Sequence, residues 1–236
     1  MATATKRRSG SGKTMRTSRA GQGESGNGAE VEVVRAREML VDEPVQLMRL
    51  DVQRLRVEII GDSALIMHKF SDKAQKQIAD KQGQKGVAKK GKRDPKAEYE
   101  GAMIKDDDGK FAIPSVAFKK AAVGACSYVG GITKVLARGA FHVENEFVPL
   151  SKKTSKPRMR TDMVRLPTGV ADIRYRPEFT KWSCVVPVNY NAAVISAEQI
   201  VNLFNIAGYA VGILEWRPQR DGEFGRFHVA QDGESA

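Results

Sequence analysis

Basic and aromatic side chains alternate on two short segments in the last third of the chain. These are Arg174-Tyr175-Arg176-Pro177-Glu178-Phe179-Thr180-Lys181-Trp182 and Trp216-Arg217-Pro218-Gln219-Arg220-Asp221-Gly222-Glu223-Phe224-Gly225-Arg226-Phe227. Cations attract phosphates and flat rings stack on bases, so this interleaving suits a protein that holds a single-stranded nucleic acid without reading its sequence. Arg174, Arg176, Lys181, Arg217, Arg220 and Arg226 are the candidate phosphate contacts, and Tyr175 and Trp216 the candidate stacking rings. Pro177 and Pro218 stand close to these rings, and a proline interrupts a regular strand ladder and turns its neighbours out at a corner. Plain structural roles are open to the same residues: Trp182, Phe224 and Phe227 as core, and the arginines as ion-pair partners of Glu178 or Glu215.

Lysines extend the pattern beyond these corners. The connection 151–161 carries Lys152, Lys153, Lys156, Arg158 and Arg160 without an acid, and the glycine-rich stretch 83–93 carries Lys85, Lys89, Lys90, Lys92 and Arg93. Lys152, Lys153, Lys89 and Lys90 are therefore added as candidate phosphate contacts. A third basic segment opens the chain: residues 1–30 hold Lys6, Arg7, Arg8, Lys13, Arg16 and Arg19 with no acid before Glu24 and almost nothing to bury. Such a segment cannot offset its ordering entropy and is expected to be a flexible basic arm. A formal net charge of +11 over 236 residues agrees with a polyanion partner, because a positive field concentrates phosphates and releases their counterions.

Catalytic and metal chemistry find little support. His68, His142 and His228 are the histidines, and none is spaced from another or from a cysteine as a metal site or an activated nucleophile requires. His68, beside Lys69, is the best placed of them for acid–base work. Cys126 and Cys184 are far apart and read as buried reduced thiols, with no disulfide framework or zinc site. Gly10-Ser11-Gly12-Lys13-Thr14 imitates the end of a phosphate-binding loop but has Arg7 where a glycine belongs and no strand before it. Asp106-Asp107-Asp108-Gly109 lacks the spaced ligands of a calcium loop and reads as a hairpin turn. No catalytic residue, metal or cofactor is assigned. No apolar run is long enough for a membrane helix, so a cytoplasmic setting without a membrane partner is expected.

Hydrophobic periodicity supplies the elements that carry these residues. After an extended lead-in over 31–49, Leu50, Val52, Leu55, Val57, Ile59 and Ile60 mark a first strand. Ser71 caps a lysine-rich helix to about Gln82. A short strand at 110–113 leads through Pro114 into a helix reaching Tyr128. The stretch 132–150 reads as a long strand or bent hairpin with Val135, Phe141, Val143 and Phe147 inward. Strands follow at 163–175, pausing at Pro177, and at 182–190. Ser196-Ala197-Glu198-Gln199 is a capping box that starts a helix stopped by Gly208. Val211, Ile213 and Leu214 then begin a strand, 224–229 forms the last, and 230–236 is a frayed tail. This order predicts a single α+β domain over 50–229: a ferredoxin-like, split βαβ antiparallel sheet with helices on one face and basic loop insertions.

The final helix with Gly208, the strand with Gly212 and the turn Gly222-Glu223-Phe224-Gly225 together resemble the C-terminal glycine-rich loop of the RAMP superfamily, the ferredoxin-like RNA-binding proteins of CRISPR systems. Lys110-Phe111-Ala112-Ile113-Pro114-Ser115-Val116-Ala117-Phe118-Lys119 resembles the segment by which backbone subunits of that superfamily enter their first helix. The resemblance implies a subunit that lines up with copies of itself along single-stranded RNA or DNA, with Gly212, Gly222 and Gly225 letting backbone approach the phosphates. The chain is also similar in general character to phage and prophage proteins, which implies a host cytoplasm.

The leading expectation is a non-catalytic single-stranded nucleic-acid-binding protein of RAMP type. Two alternatives stand beside it: a phage structural or assembly protein that self-associates, and a metal-independent RNA-cleaving enzyme using His68.

Overall fold

The computed structural model describes residues 49–69, 79, 83, 93–165 and 168–234. The expected arm, the lead-in up to residue 48, the lysine-rich helix apart from Ala79, and the glycine-lysine loop between Gly83 and Arg93, with Lys89 and Lys90, lie outside the described residues.

In chain order the strands and α-helices are β1 (Val52–Gly61), β2 (Leu65–Ile66), α1 (Pro95–Gly101), β3 (Ala112–Pro114), α2 (Ser115–Ala125), α3 (Lys134–Ala140), β4 (Phe141–Val143), β5 (Phe147–Pro149), β6 (Arg158–Arg165), β7 (Ala171–Phe179), β8 (Ser183–Asn191), α4 (Ala197–Ile206) and β9 (Phe227–Val229). A π-helical turn (Ala207–Val211) and a 3-10 turn (Pro218–Arg220) lie between α4 and β9. The architecture is α+β with antiparallel sheets: β4-β8-β1-β9, β2-β7-β6 and β3-β5. In the first sheet β1 and β8 are central, α2 lies between its first two strands in sequence and α4 between its last two. That is the split βαβ order.

Period-two alternation explains which face the helices cover. Val57 and Ile59 on β1 and Cys184, Val186 and Val188 on β8 are buried, whereas Arg56 and Glu58 between them are exposed. Phe118, Ala121, Ala122 and Ala125 of α2 and Ile200, Leu203 and Phe204 of α4 complete the same core. Phe227 meets Phe118 and Trp182 edge to face. The Trp182 indole donates to Ser63 O at 2.8 Å. Cys126 and Cys184 are free and buried. His228 is hydrogen-bonded to Asp62 and Glu234, a structural role.

Several expected elements differ. The stretch 132–150 is not a continuous strand: Thr133 caps α3 through Leu136 N, and Val135 points into solvent at 74 % exposure. Ala137 and Ala140 are the buried residues of α3, and Lys119 Nζ donates to the carbonyls of Ala137, Arg138 and Phe141 at its otherwise uncapped end. Burial of this ammonium lowers its pKa to about 8. The basic connection 151–161 is shorter than expected, because β6 already begins at Arg158. β7 runs through Pro177 without a pause, pairing it with Met159. Gly208 does not stop the last helix. The chain continues as a π-helical turn to Val211, and a Cβ at Gly208 would stand 1.8 Å from Phe227 O, so that close approach is what requires glycine. Val211, Ile213 and Leu214 accordingly form no strand. The capping box at Ser196 and Gln199 is formed on both sides.

Candidate nucleic-acid interface

The β6–β7 hairpin has two chemically different faces. Its register sets Arg158 opposite Glu178, Arg160 opposite Arg176, Asp162 opposite Arg174 and Val164 opposite Asp172. Side chains alternate along a strand, so all these groups share one face while Met159, Thr161, Met163, Ile173, Tyr175 and Pro177 share the other. Glu178 accepts from Arg158 at 2.8 Å and lies 3.5 Å from Arg160, which also reaches Asp162 at 2.7 Å. Arg176 lies 3.5 Å from both Asp162 and Glu215.

This ladder corrects the expected role of Arg176. Its residue is 3 % exposed and its guanidinium is bracketed by two carboxylates, so it serves inside the protein and has no open path to a phosphate. Burial lowers its pKa, opposed by Glu215 and Asp162. Arg174 keeps one side open and lies 3.5 Å from Asp172 and 3.1 Å from Nε2 of His68. A guanidinium can only donate, so Nε2 accepts and the imidazole is neutral. Burial lowers the His68 pKa first, with Arg176 and Arg174 adding to it against Glu215. The ring thereby acts as an acceptor that orients Arg174.

The loop between the π-helical turn and β9 lies against this charged face. Glu215 meets Arg176, and the Arg160 guanidinium lies 4.7 Å from the centre of the Phe224 ring. β2 joins the two corners: Met67 N donates to Pro177 O at 3.0 Å, Glu215 N to Ile66 O at 3.3 Å and Gly225 N to Ala64 O at 2.9 Å. The two segments therefore flank the β2 region. Tyr175 points to the opposite hairpin face from Arg174 and Arg176.

Trp216 is 39 % exposed and holds a left-handed backbone, φ +54°, as does Leu214 at +58°. Residues other than glycine adopt this region at a cost of about 1–2 kcal/mol, and such outliers concentrate at working sites. Arg217 braces the turn by donating to Leu214 O at 2.9 Å, and Arg220 is exposed. Arg226 approaches Glu223 at 3.7 Å. The three glycines do not offer their amides to phosphates: Gly212 N donates to Ala207 O, Gly222 N to Arg217 O and Gly225 N to Ala64 O. Their reason is internal. A Cβ would stand 1.9 Å from Trp216 O at Gly222 and 2.0 Å from Ile213 O at Gly225, so these glycines let the loop close on itself.

Lys152, Lys153 and Lys156 are exposed on the turn before β6, and Ser155 ties that turn to exposed Lys181 through a 3.2 Å bond from the Lys181 amide. Ser155 N donates to Lys181 O at 2.9 Å, which makes the two turns one basic knob. Among the described residues no group of three or more His, Cys, Asp or Glu is arranged to hold a metal ion. No described helix is long and apolar enough to cross a membrane.

No family model matches the chain, and no curated protein matches it. Among solved structures, the crystal structure of Cmr6 from Pyrococcus furiosus is similar with a TM-score of 0.43 and 10 % identity, over 77 % of this chain and 100 % of that chain.

The sequence reading omitted Arg158, Arg160 and Asp162 from the site, although a signal for them existed. Arg158-x-Arg160 and Arg174-x-Arg176 both have the period of a strand, so each pair must share a face. Phe224, for which a core role is one of the readings the sequence leaves open, is half-buried and lies under the Arg160 guanidinium.

Proposed function

We propose that the chain is a non-catalytic, single-stranded nucleic-acid-binding protein of RAMP type. The observation that carries this reading is Trp216, an exposed aromatic ring held in a strained backbone beside the arginine-bearing hairpin face. Stacking on Trp216 supplies base contact, and Arg174, Arg217 and Arg220 supply phosphate contact. The Lys152–Lys181 knob adds longer-range attraction. RNA is the favoured strand, because the glycine-bearing loop and the segment 110–119 resemble a superfamily of RNA-binding proteins.

Fluorescence anisotropy with labelled single-stranded RNA and DNA across a salt series tests it. Affinity should fall steeply with salt, and replacing Lys152, Lys156 and Lys181 together by serine should reduce the slope of log K against log salt by about 2, as three lost single-strand phosphate contacts require. Absence of binding, or binding indifferent to salt, overturns the reading.

Self-association is a second reading favoured by one observation. Met163 and Ile173 are paired in register on the uncharged hairpin face and are 72 % and 46 % exposed. An apolar patch of this kind marks a protein contact when it is continuous. Under this reading, light scattering before and after nuclease treatment should show an assembly that persists without nucleic acid and disperses in a Met163→Lys variant.

A further inference from the structure

Tyr209 lies in the π-helical turn and, at 78 % exposure, is the most exposed large apolar side chain among the described residues. The turn itself has a cause. Gly208 is pressed against β9, with room for no Cβ beside Phe227 O, while Ala207 and Val211 are buried on either side. Anchoring the backbone at these three points leaves Tyr209 projecting outward. π-helical turns of this kind are costly and collect at functional sites.

The surroundings join Tyr209 to the Trp216 loop. Gly212 ends the turn, and its Cβ position is 2.6 Å from Pro218 Cδ and 3.0 Å from Arg217 Cβ, so the 3-10 turn leans directly on the π-helical one. Gln219 Nε2 comes within 3.7 Å of the Cβ position of Gly124 on α2, and Val211 within 3.4 Å. Lys120 and Val116 lie one and two turns before Gly124 on the same helix face, and both are exposed. Arg217 and Arg220 thus stand on the turn that leans on the end of Tyr209's own turn, and Lys120 is exposed on the helix that Gln219 approaches.

We propose that Tyr209 is a second base-stacking position for the same single strand, with the cations of the 217–220 turn meeting the phosphates between it and Trp216. This rests on the nucleic-acid-binding reading and extends the site to a face of the molecule that the aromatic–basic interleaving did not include. A ring next to cations binds bases of any type, because every base has a stackable face.

The test is anisotropy with labelled single-stranded oligonucleotides from about 4 to about 16 nucleotides long, spanning known site sizes. Tyr209→Ala should weaken binding of the longer strands by about 5-fold, the lower end of a lost stacking contact, and leave the shortest unchanged. Tyr209→Phe should bind as the parent does, since the ring and not the hydroxyl makes the contact. Wild-type affinity for Tyr209→Ala at every length, while Trp216→Ala is weakened, overturns this inference and leaves the binding reading intact. Equal losses in Tyr209→Ala and Tyr209→Phe overturn it in favour of a hydroxyl contact. A defect confined to light-scattering assembly overturns it in favour of a protein surface. A parent protein that binds no strand of any length overturns both.

Discussion

Asp162→Ala should destabilise the fold by about 3–5 kcal/mol, the cost of stranding a buried charge. Asp162 is 7 % exposed and accepts from Arg160 at 2.7 Å while standing 3.5 Å from Arg176, itself 3 % exposed. Without Asp162, the buried Arg176 keeps as its remaining carboxylate Glu215 at 3.5 Å, whose side chain is 38 % exposed. Urea unfolding of parent and variant measures the loss, with the denaturant slope confirming that the native state stays compact. The pair Asp162→Leu with Arg176→Met should recover most of the stability, because an apolar pair of similar volume replaces an ion pair that is expensive to desolvate. A single-variant loss below about 1 kcal/mol would show that water reaches Arg176 freely, and the internal role assigned to it would fall.

That ladder also marks where sequence reading stops. Period-two alternation was legible in β1 and β8, where Val57, Ile59, Val186 and Val188 alternate with polar or less buried residues, and so was the capping box of α4. The stretch 132–150 misled because Val135, Phe141 and Val143 mimic alternation. The helix wins there through partners distant in sequence, Lys119 capping its carbonyls and its alanines seated in the core. α1 was missed despite a local signal, Asp94 capping with Pro95 in the first turn.

The candidate site divides in the same way. That Arg174 and Arg176 share a strand face was readable from their spacing. That Arg176 would be enclosed was not, since it depends on the β6–β7 register and on Glu215 arriving from the far loop. Proline lacks an N–H, so the sequence alone places Pro177 at a corner. The strand tolerates it, and its carbonyl still accepts from Met67. The loop glycines answer to Trp216 O and Ile213 O, contacts that exist only once the loop has closed.

Trp216 separates stability from binding most clearly. Trp216→Ala should weaken single-strand affinity by about 1–3 kcal/mol, the usual loss for one stacked base, whereas Trp216→Phe should lose little. Trp216→Gly should bind as poorly as the alanine variant yet be more stable than it by about 1 kcal/mol, because glycine accepts φ +54° without the Cβ penalty. Anisotropy reads the first comparison and thermal or urea unfolding the second. Equal stabilities of the alanine and glycine variants would mean that the backbone is not strained at this position. Unchanged affinity in the alanine variant would remove Trp216 from the interface, and with it the observation on which the binding surface is built. If both expectations hold, the loop holds Trp216 in an unfavourable conformation that keeps its ring at the surface, next to Arg217 and within the reach of a strand crossing the hairpin's charged face.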